Sequence, residues 1–165
     1  MRHHLAQINI GRILAPIDDP LMAGFVNRLD IINALADESP GFVWRLQTEA
    51  GNATDIRPYD DPMTLVNMSV WETPEHLREF AYRSAHAGVM RQRAAWFEKF
   101  DGPYQALWWV PVGHIPTVEE AKQRLEHLRA HGDTAYAFSF TNLFPPPDSP
   151  EAGPQAEIPE SRPAA

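Results

Sequence analysis

Apolar and polar residues alternate along four stretches of the first 144 residues, and an alternation with period two is typical of β-strands. The predicted strands cover residues 3–10, 42–47, 63–72 and 104–110. Capping residues followed by apolar residues three and four apart predict three helices, which begin at Asp19-Pro20, Thr73-Pro74 and Thr117. The second helix is expected to run to about Phe100, and the alternation of Tyr136, Phe138 and Phe140 predicts a last short strand.

The first six predicted elements follow the order β-α-β-β-α-β, which is typical of the ferredoxin-like α+β fold. In that fold four antiparallel strands form one sheet, and both helices pack on the same face. The other face would then be open and apolar, so we expect two copies to associate sheet to sheet as a homodimeric α/β barrel. The extra C-terminal helix and strand would cover an edge of the sheet or reach across to the partner.

The proline content divides the chain into a domain at residues 1–144 and a tail at 145–165. Seven of the 16 prolines follow Phe144, and Ile158 is the single large apolar residue of that segment. Such a segment buries too little apolar surface to offset the entropy lost on ordering. We therefore expect the tail to be disordered, and docking of its proline run on a partner is the alternative.

Composition and charge exclude several classes of function. The chain has no cysteine, which removes disulfides and thiolate metal sites, and the seven histidines form no zinc-binding pattern. The formal net charge of -8 disfavours nucleic-acid binding. No apolar run is long enough to cross a bilayer, and the N-terminus lacks the apolar stretch of a signal peptide. We therefore expect a cytoplasmic protein without a metal site.

Polar residues fall on one face of the two strands that should be neighbours at the centre of the sheet. Gln7 and Asn9 share a face of the first strand, and Asn67, Ser69 and Trp71 share a face of the third. Uncharged polar groups in the middle of a sheet need hydrogen-bond partners or contact with water. They predict either a pocket for a small molecule or a polar dimer interface, and the sequence leaves both open.

The second predicted helix holds the remaining candidates. Its two apolar stripes are offset from each other, which predicts a kink near Gly88 with His86 at the junction. An imidazole there could bind haem or a metal or transfer protons, and a hydrogen bond to the backbone is the structural alternative. Arg83 and Arg91 lie nearby and could bind an anionic group of a substrate, unless they are solvated or paired with acids.

These elements occur together with a specific local sequence. The chain from Val66 to Leu77 has the sequence VNMSVWETPEHL and is followed by Ser84-Ala85-His86. It resembles the dimeric α/β-barrel superfamily, which includes antibiotic-biosynthesis monooxygenases and haem-degrading monooxygenases. The segments HLAQINI at 4–10, WWVP at 108–111 and GHIPT at 113–117 resemble more closely one uncharacterised bacterial family of that superfamily. The resemblance spans about residues 3–141.

The resemblance implies roles for several of these residues. Quinone-forming members use an Asn and a Trp four residues apart on the third strand, which here are Asn67 and Trp71, to hold a phenol while it reacts with O2 without a prosthetic group. Haem-degrading members use an Asn on the first strand, matched by Asn9, but Phe80 stands where their helix has a tryptophan. Their haem-binding histidine would fall near Met90 rather than at His86, which argues against haem degradation.

Three hypotheses follow from the sequence. The first is a monooxygenase-like enzyme for an aromatic or phenolic substrate, with no cofactor. Its expected catalytic residues are Asn67, Trp71 and His86, and its expected substrate-binding residues are Gln7, Asn9, Ser69 and Arg83. The second is a non-catalytic ligand-binding or interaction module, which a filled, dry core would favour. The third is a haem-binding protein that uses His86.

Overall fold

A computed structural model describes residues 2–47, 59, 61–83, 93–99 and 101–149 of the chain. The strands are β1 (His3–Arg12), β2 (Phe42–Arg45), β3 (Thr64–Trp71) and β4 (Gln105–Pro111). A 3-10 turn at Pro20–Met22 precedes α1 (Ala23–Glu38), and the other helices are α2 (Pro74–Arg83), α3 (Arg93–Trp96) and α4 (Val118–His131). Among the described residues, no helix is long and apolar enough to cross a membrane.

The four strands form one antiparallel sheet in the order β2-β3-β1-β4, which confirms the predicted ferredoxin-like α+β architecture. Strands β1 and β3 are central neighbours, and their register places Gln7 opposite Ser69 and Asn9 opposite Asn67. All three predicted caps are present: an Asp19 carboxylate oxygen accepts from the backbone N–H of Leu21, the Thr73 hydroxyl from that of His76, and the Thr117 hydroxyl from that of Glu120. The helix starts are therefore fixed by local sequence.

The second face of the sheet is covered by α4 of the same chain, so the expectation of an open apolar face is wrong. Leu125 of α4 is completely buried, and so are Ile8, Met68 and Trp108 of the sheet face below it. The apolar stripe of α4 buries this face within one chain. The predicted helix therefore lies on the sheet rather than at its edge. The homodimer was expected because this face was predicted to be open, so that reason no longer applies. The homodimer itself stays a prediction.

Two other elements differ from their predictions. The expected last strand is reduced to a single bridge, in which the backbone groups of Phe138 and Leu107 exchange hydrogen bonds of 2.8 and 2.9 Å. The second predicted helix is described as far as Arg83, and α3 ends at Trp96, before Phe97 bridges to Ile13. The predicted kink near Gly88 lies outside the described residues.

The first residues of the predicted tail contact the domain. Nδ1 of His3 lies 2.8 Å from a carboxylate oxygen of Asp148, and just before the tail the indole N–H of Trp109 donates to the carbonyl of Phe144. These contacts hold the chain against the β4 side of the sheet as far as Asp148. Residues 150–165, the rest of the predicted tail, lie outside the described residues.

Candidate ligand-binding site

Helix α1 packs on the rest of the domain mainly at its two ends. Before its first turn, Met22 is buried with Ile13 and Trp96, and near its last turn Ala36 is buried with Leu5 and other residues of the sheet. No residue of α1 other than Ala36 is fully buried. The middle of the helix therefore stands away from the sheet and leaves a space beneath it.

That space is a cavity of about 200 Å³ between the sheet, α1 and α2. Its apolar walls come from both helices, from β3 and from two segments further along the chain. They include Phe25, Leu29, Ile32, Trp71, Leu77, Phe80, Phe97 and Phe140. An engineered apolar cavity of about 150 Å³ holds benzene, and cavities for drug-sized ligands begin at about 300 Å³. The cavity therefore fits one aromatic ring with small substituents.

The floor of the cavity is a network of hydrogen-bonded side chains centred on Gln7. This residue is 2% exposed, and its Nε2 donates to Oδ1 of Asn67 at 2.7 Å and to Oγ of Ser69 at 2.8 Å. Its Oε1 accepts from Nδ2 of Asn9 at 3.0 Å and, more weakly, from Nε2 of Gln105 at 3.4 Å. All the hydrogen-bonding groups of the Gln7 amide are thus used, which fixes its orientation.

The network leaves two groups free at the cavity. Oδ1 of Asn67 also accepts from Nδ2 of Asn9 at 3.2 Å, so the Asn67 oxygen and the Asn9 amide nitrogen are both occupied. Nδ2 of Asn67 and Oδ1 of Asn9 form no hydrogen bond with any of the described residues. Asn67 is exposed although its neighbours on β3 are buried, because the cavity opens to solvent above it. One donor and one acceptor therefore face the cavity side by side.

Trp71 contributes a wall to the cavity. Its indole N–H donates to Oγ of Ser69 at 2.9 Å, and the residue is 1% exposed. The indole stacks on the ring of Phe80 at a centroid distance of 5.2 Å and meets the ring of Phe42 edge-on at 5.5 Å. These contacts hold the indole in one orientation, and it offers a ligand its ring surface rather than its N–H group.

A cation that the sequence analysis missed also lines the cavity. The guanidinium of Arg93 lies 4.8 Å from the ring centre of Phe97 and 4.5 Å from that of Tyr104. Burial lowers the pKa of Arg93 from its ordinary value, and Tyr104 opposes that shift. Arginine nevertheless keeps its proton at neutral pH. The cavity therefore contains a half-buried positive charge between two aromatic rings.

Five of the seven predicted site residues come together here: Gln7, Asn9, Asn67, Ser69 and Trp71 line the cavity. His86 and the side chain of Arg83 lie outside the described residues, as does Arg91. Gln105 was missed although it lies opposite Asn9, on the same sheet face as the other polar residues. The reason is that β4 was interpreted by its aromatic residues alone. Nothing in the spacing of Arg93 marked it, since its position depends on how α3 packs against β1.

The described lining of the cavity contains no His, Met or Cys that could be an axial ligand of haem. His86, the predicted haem ligand, lies outside the described residues, so haem binding through His86 stays a prediction. The described residues also contain no group of three or more His, Cys, Asp or Glu side chains that could hold a metal ion.

Comparisons with known proteins identify a family but no activity. The family described as "Domain of unknown function (DUF3291)" matches residues 4–154, and a search of curated proteins finds no match. Two solved structures from Nitrosomonas europaea are similar. One is described as a candidate antibiotic biosynthesis monooxygenase (16% identity, TM-score 0.43, 70% of this chain and 93% of that one). The other is a protein of unknown function (13% identity, TM-score 0.44, 70% of this chain and 95% of that one). These likenesses are too distant to say anything about substrate or reaction.

Proposed function

Because the chain belongs to the DUF3291 family, whose description assigns no activity, we propose a function from the cavity itself. The protein binds a small phenolic molecule between the sheet and helices α1 and α2, and acts on it as a monooxygenase-like enzyme. The observation that carries this proposal is the exposed amide of Asn67. It lies at the centre of the sheet and lines a cavity with aromatic walls.

The free polar groups match a phenol. A phenolic hydroxyl both donates and accepts hydrogen bonds. Its oxygen can accept from Nδ2 of Asn67 while its hydrogen is donated to Oδ1 of Asn9. The ring then lies among the aromatic walls, where burial of its surface favours binding. A ligand with the ring alone would leave both amide groups without a partner inside the cavity.

The proposed reaction needs no prosthetic group. A phenol and O2 give a quinone and water: one oxygen atom forms the new carbonyl, the other leaves as water, and the substrate supplies all the electrons and hydrogen atoms. The Asn67 amide stabilises the phenolate because its N–H is already directed at the oxygen where negative charge develops. Arg93 adds a positive field that lowers the pKa of a bound phenol. The proton leaves through the open side of the cavity to solvent.

Binding can be tested by calorimetry with 2-methylphenol and its methyl ether, 2-methylanisole. We expect saturable binding of the phenol, and weaker binding of the ether by about tenfold, because the ether cannot donate to Asn9. Asn67→Leu should weaken phenol binding by about tenfold or more. Asn27→Leu is the matched control, because Asn27 is exposed on α1 and does not line the cavity.

Activity measurements on the same protein then distinguish an enzyme from a binding module. An oxygen electrode and an absorption spectrum would measure O2 uptake and quinone formation with 2-methylphenol. The enzyme proposal predicts one O2 consumed for each quinone formed, at a rate that falls in Asn67→Leu. Saturable binding without O2 uptake, across phenols that fit the cavity, would instead favour the non-catalytic module.

A further inference from the structure

We infer that the natural ligand of this cavity is an aromatic carboxylate, held at one end by the two free amide groups and at the other by Arg93. This inference rests on the proposed function and narrows it to a class of ligand. It follows from the absence of an acidic partner of the Arg93 guanidinium among the described residues, from the charges of the cavity lining, and from the position of the Arg93 side chain beside Gly11 of β1.

The described residues use little of the hydrogen-bonding capacity of Arg93. A guanidinium has five N–H donors. Among the described residues its one hydrogen bond is a long one, from Nη2 to the carbonyl of Ile10 at 3.4 Å. Its other contacts are the faces of Phe97 and Tyr104, which attract a cation but accept no strong hydrogen bond. A ligand with an anionic hydrogen-bond acceptor would therefore stabilise this half-buried cation.

The charges of the cavity lining also favour an anionic ligand. Of the described residues that line the cavity none is acidic, although the chain as a whole has a net charge of -8. Other arginines nearby do have carboxylate partners: Arg45 pairs with Asp37 at 2.7 Å, and Arg12 pairs with Asp61 and Glu98 at 2.6 Å. Arg45 also lines the cavity, but its guanidinium is paired with Asp37, whereas Arg93 has no carboxylate partner among the described residues.

The position of Arg93 sets the shape of the ligand. A Cβ on Gly11 would lie 3.2 Å from Nη2 of Arg93 and 2.6 Å from the ring of Phe97, so glycine leaves the space that these side chains occupy. Gly11 lies two residues beyond Asn9 on the same face of β1, a separation of about 6.6 Å along the strand. A benzene ring with a hydroxyl and a carboxylate at opposite ends spans such a gap.

A matched pair of probes tests the inference: 4-hydroxybenzoate and its neutral analogue 4-hydroxybenzamide. Near neutral pH the first is a carboxylate, and the two have nearly the same size. Calorimetry would measure both with the wild-type protein, Arg93→Gln and Arg93→Lys. Arg78→Gln is the control: it also removes a cation that lies over a ring, that of Phe140, but Arg78 is exposed and does not line the cavity. Circular dichroism would verify that each variant is folded.

We expect the wild-type protein and Arg78→Gln to bind the carboxylate about tenfold or more tightly than the amide, because a charge-assisted bidentate pair is stronger than a neutral hydrogen bond. Arg93→Gln should lose this preference, and Arg93→Lys should keep part of it. Equal binding of the two probes to the wild-type protein would overturn the inference, even if Arg93→Gln does not fold. So would a preference that survives in Arg93→Gln.

The outcome for 2-methylphenol separates this failure from failure of the proposed function. If 2-methylphenol binds and the carboxylate has no advantage, the cavity takes neutral phenols and the inference alone is wrong. If neither 2-methylphenol nor 4-hydroxybenzoate binds, the proposed function is wrong and the inference is wrong with it.

Discussion

Nε2 of Gln7 lies 2.7 Å from Oδ1 of Asn67, so a fully buried amide on β1 holds an exposed amide on β3 in one orientation. The buried partner is fixed in turn by Ser69, Asn9 and Gln105. Nδ2 of Asn67 lies at the cavity and forms no hydrogen bond with the described residues. Gln7 thus fixes the orientation of Asn67, whose Nδ2 group is the proposed contact with a ligand.

Gln7→Leu should destabilise the protein by about 2 kcal/mol, because Asn9 loses one of its two acceptors and the network loses its centre. The expected fall in Tm is roughly 4–8 °C for a chain of this size. Urea unfolding and thermal melts would measure both. Gln105→Leu, which removes only the long 3.4 Å bond to Gln7, should lose less than about 1 kcal/mol. Equal losses in the two variants would contradict the central place of Gln7.

Leu125→Ala should destabilise the protein by about 2–5 kcal/mol, because Leu125 is completely buried between α4 and the sheet. The apolar face is covered within one chain, so burial of that face should not make Tm depend on protein concentration. Thermal melts over a wide concentration range test this. A Tm that rises with concentration, together with a cost below about 1 kcal/mol for Leu125→Ala, would indicate that the sheet face is covered by a second copy instead.

Leu29→Phe should fill part of the cavity from the α1 side and weaken binding of 2-methylphenol by about tenfold or more. The stability should stay within about 1 kcal/mol of the wild type, because the added ring enters empty space. Ile31→Phe is the control, since Ile31 is 65% exposed on the outer side of the same helix. Unchanged binding in Leu29→Phe would show that the ligand lies elsewhere.

His127 should make the protein less stable as the pH falls below the ordinary histidine pKa of 6.5. Burial lowers the pKa of His127, and His131 and Arg124 lower it further by repulsion. Between the lowered pKa and 6.5 the unfolded chain therefore binds more protons than the folded one, so acid favours unfolding. His127→Gln should reduce the fall in unfolding free energy between about pH 7.5 and about pH 5.5, while the two proteins run parallel above that range. An equally steep fall in the variant would show that other groups cause it.

Much of the site could be predicted from the sequence because two simple rules were enough. The element order made the first and third strands central neighbours, and the period of two placed Gln7, Asn9, Asn67 and Ser69 on one face. Their convergence follows from antiparallel pairing, without any knowledge of side-chain contacts.

The rest depends on packing that a local pattern does not encode. The apolar stripe that ends in Leu125 and Leu128 fits any apolar surface, so it could not show that α4 lies on the second face of the sheet. The middle of α1 has a helix's usual apolar spacing, yet Leu29 and Ile32 face a cavity because the helix packs mainly at its ends. Arg93 lines the site through contacts between segments far apart in sequence, which no periodicity reveals.

The central claim is that the Asn67 amide contacts a phenolic ligand, and nuclear magnetic resonance of the side-chain NH2 groups tests it most directly. The protein would be labelled with 15N and titrated with 2-methylphenol, and the Asn67 signals would be identified by their loss in Asn67→Asp. We predict that the Asn67 NH2 pair shifts more than any other side-chain amide and saturates with the affinity measured by calorimetry. Saturable binding that leaves the Asn67 signals unmoved would contradict the account.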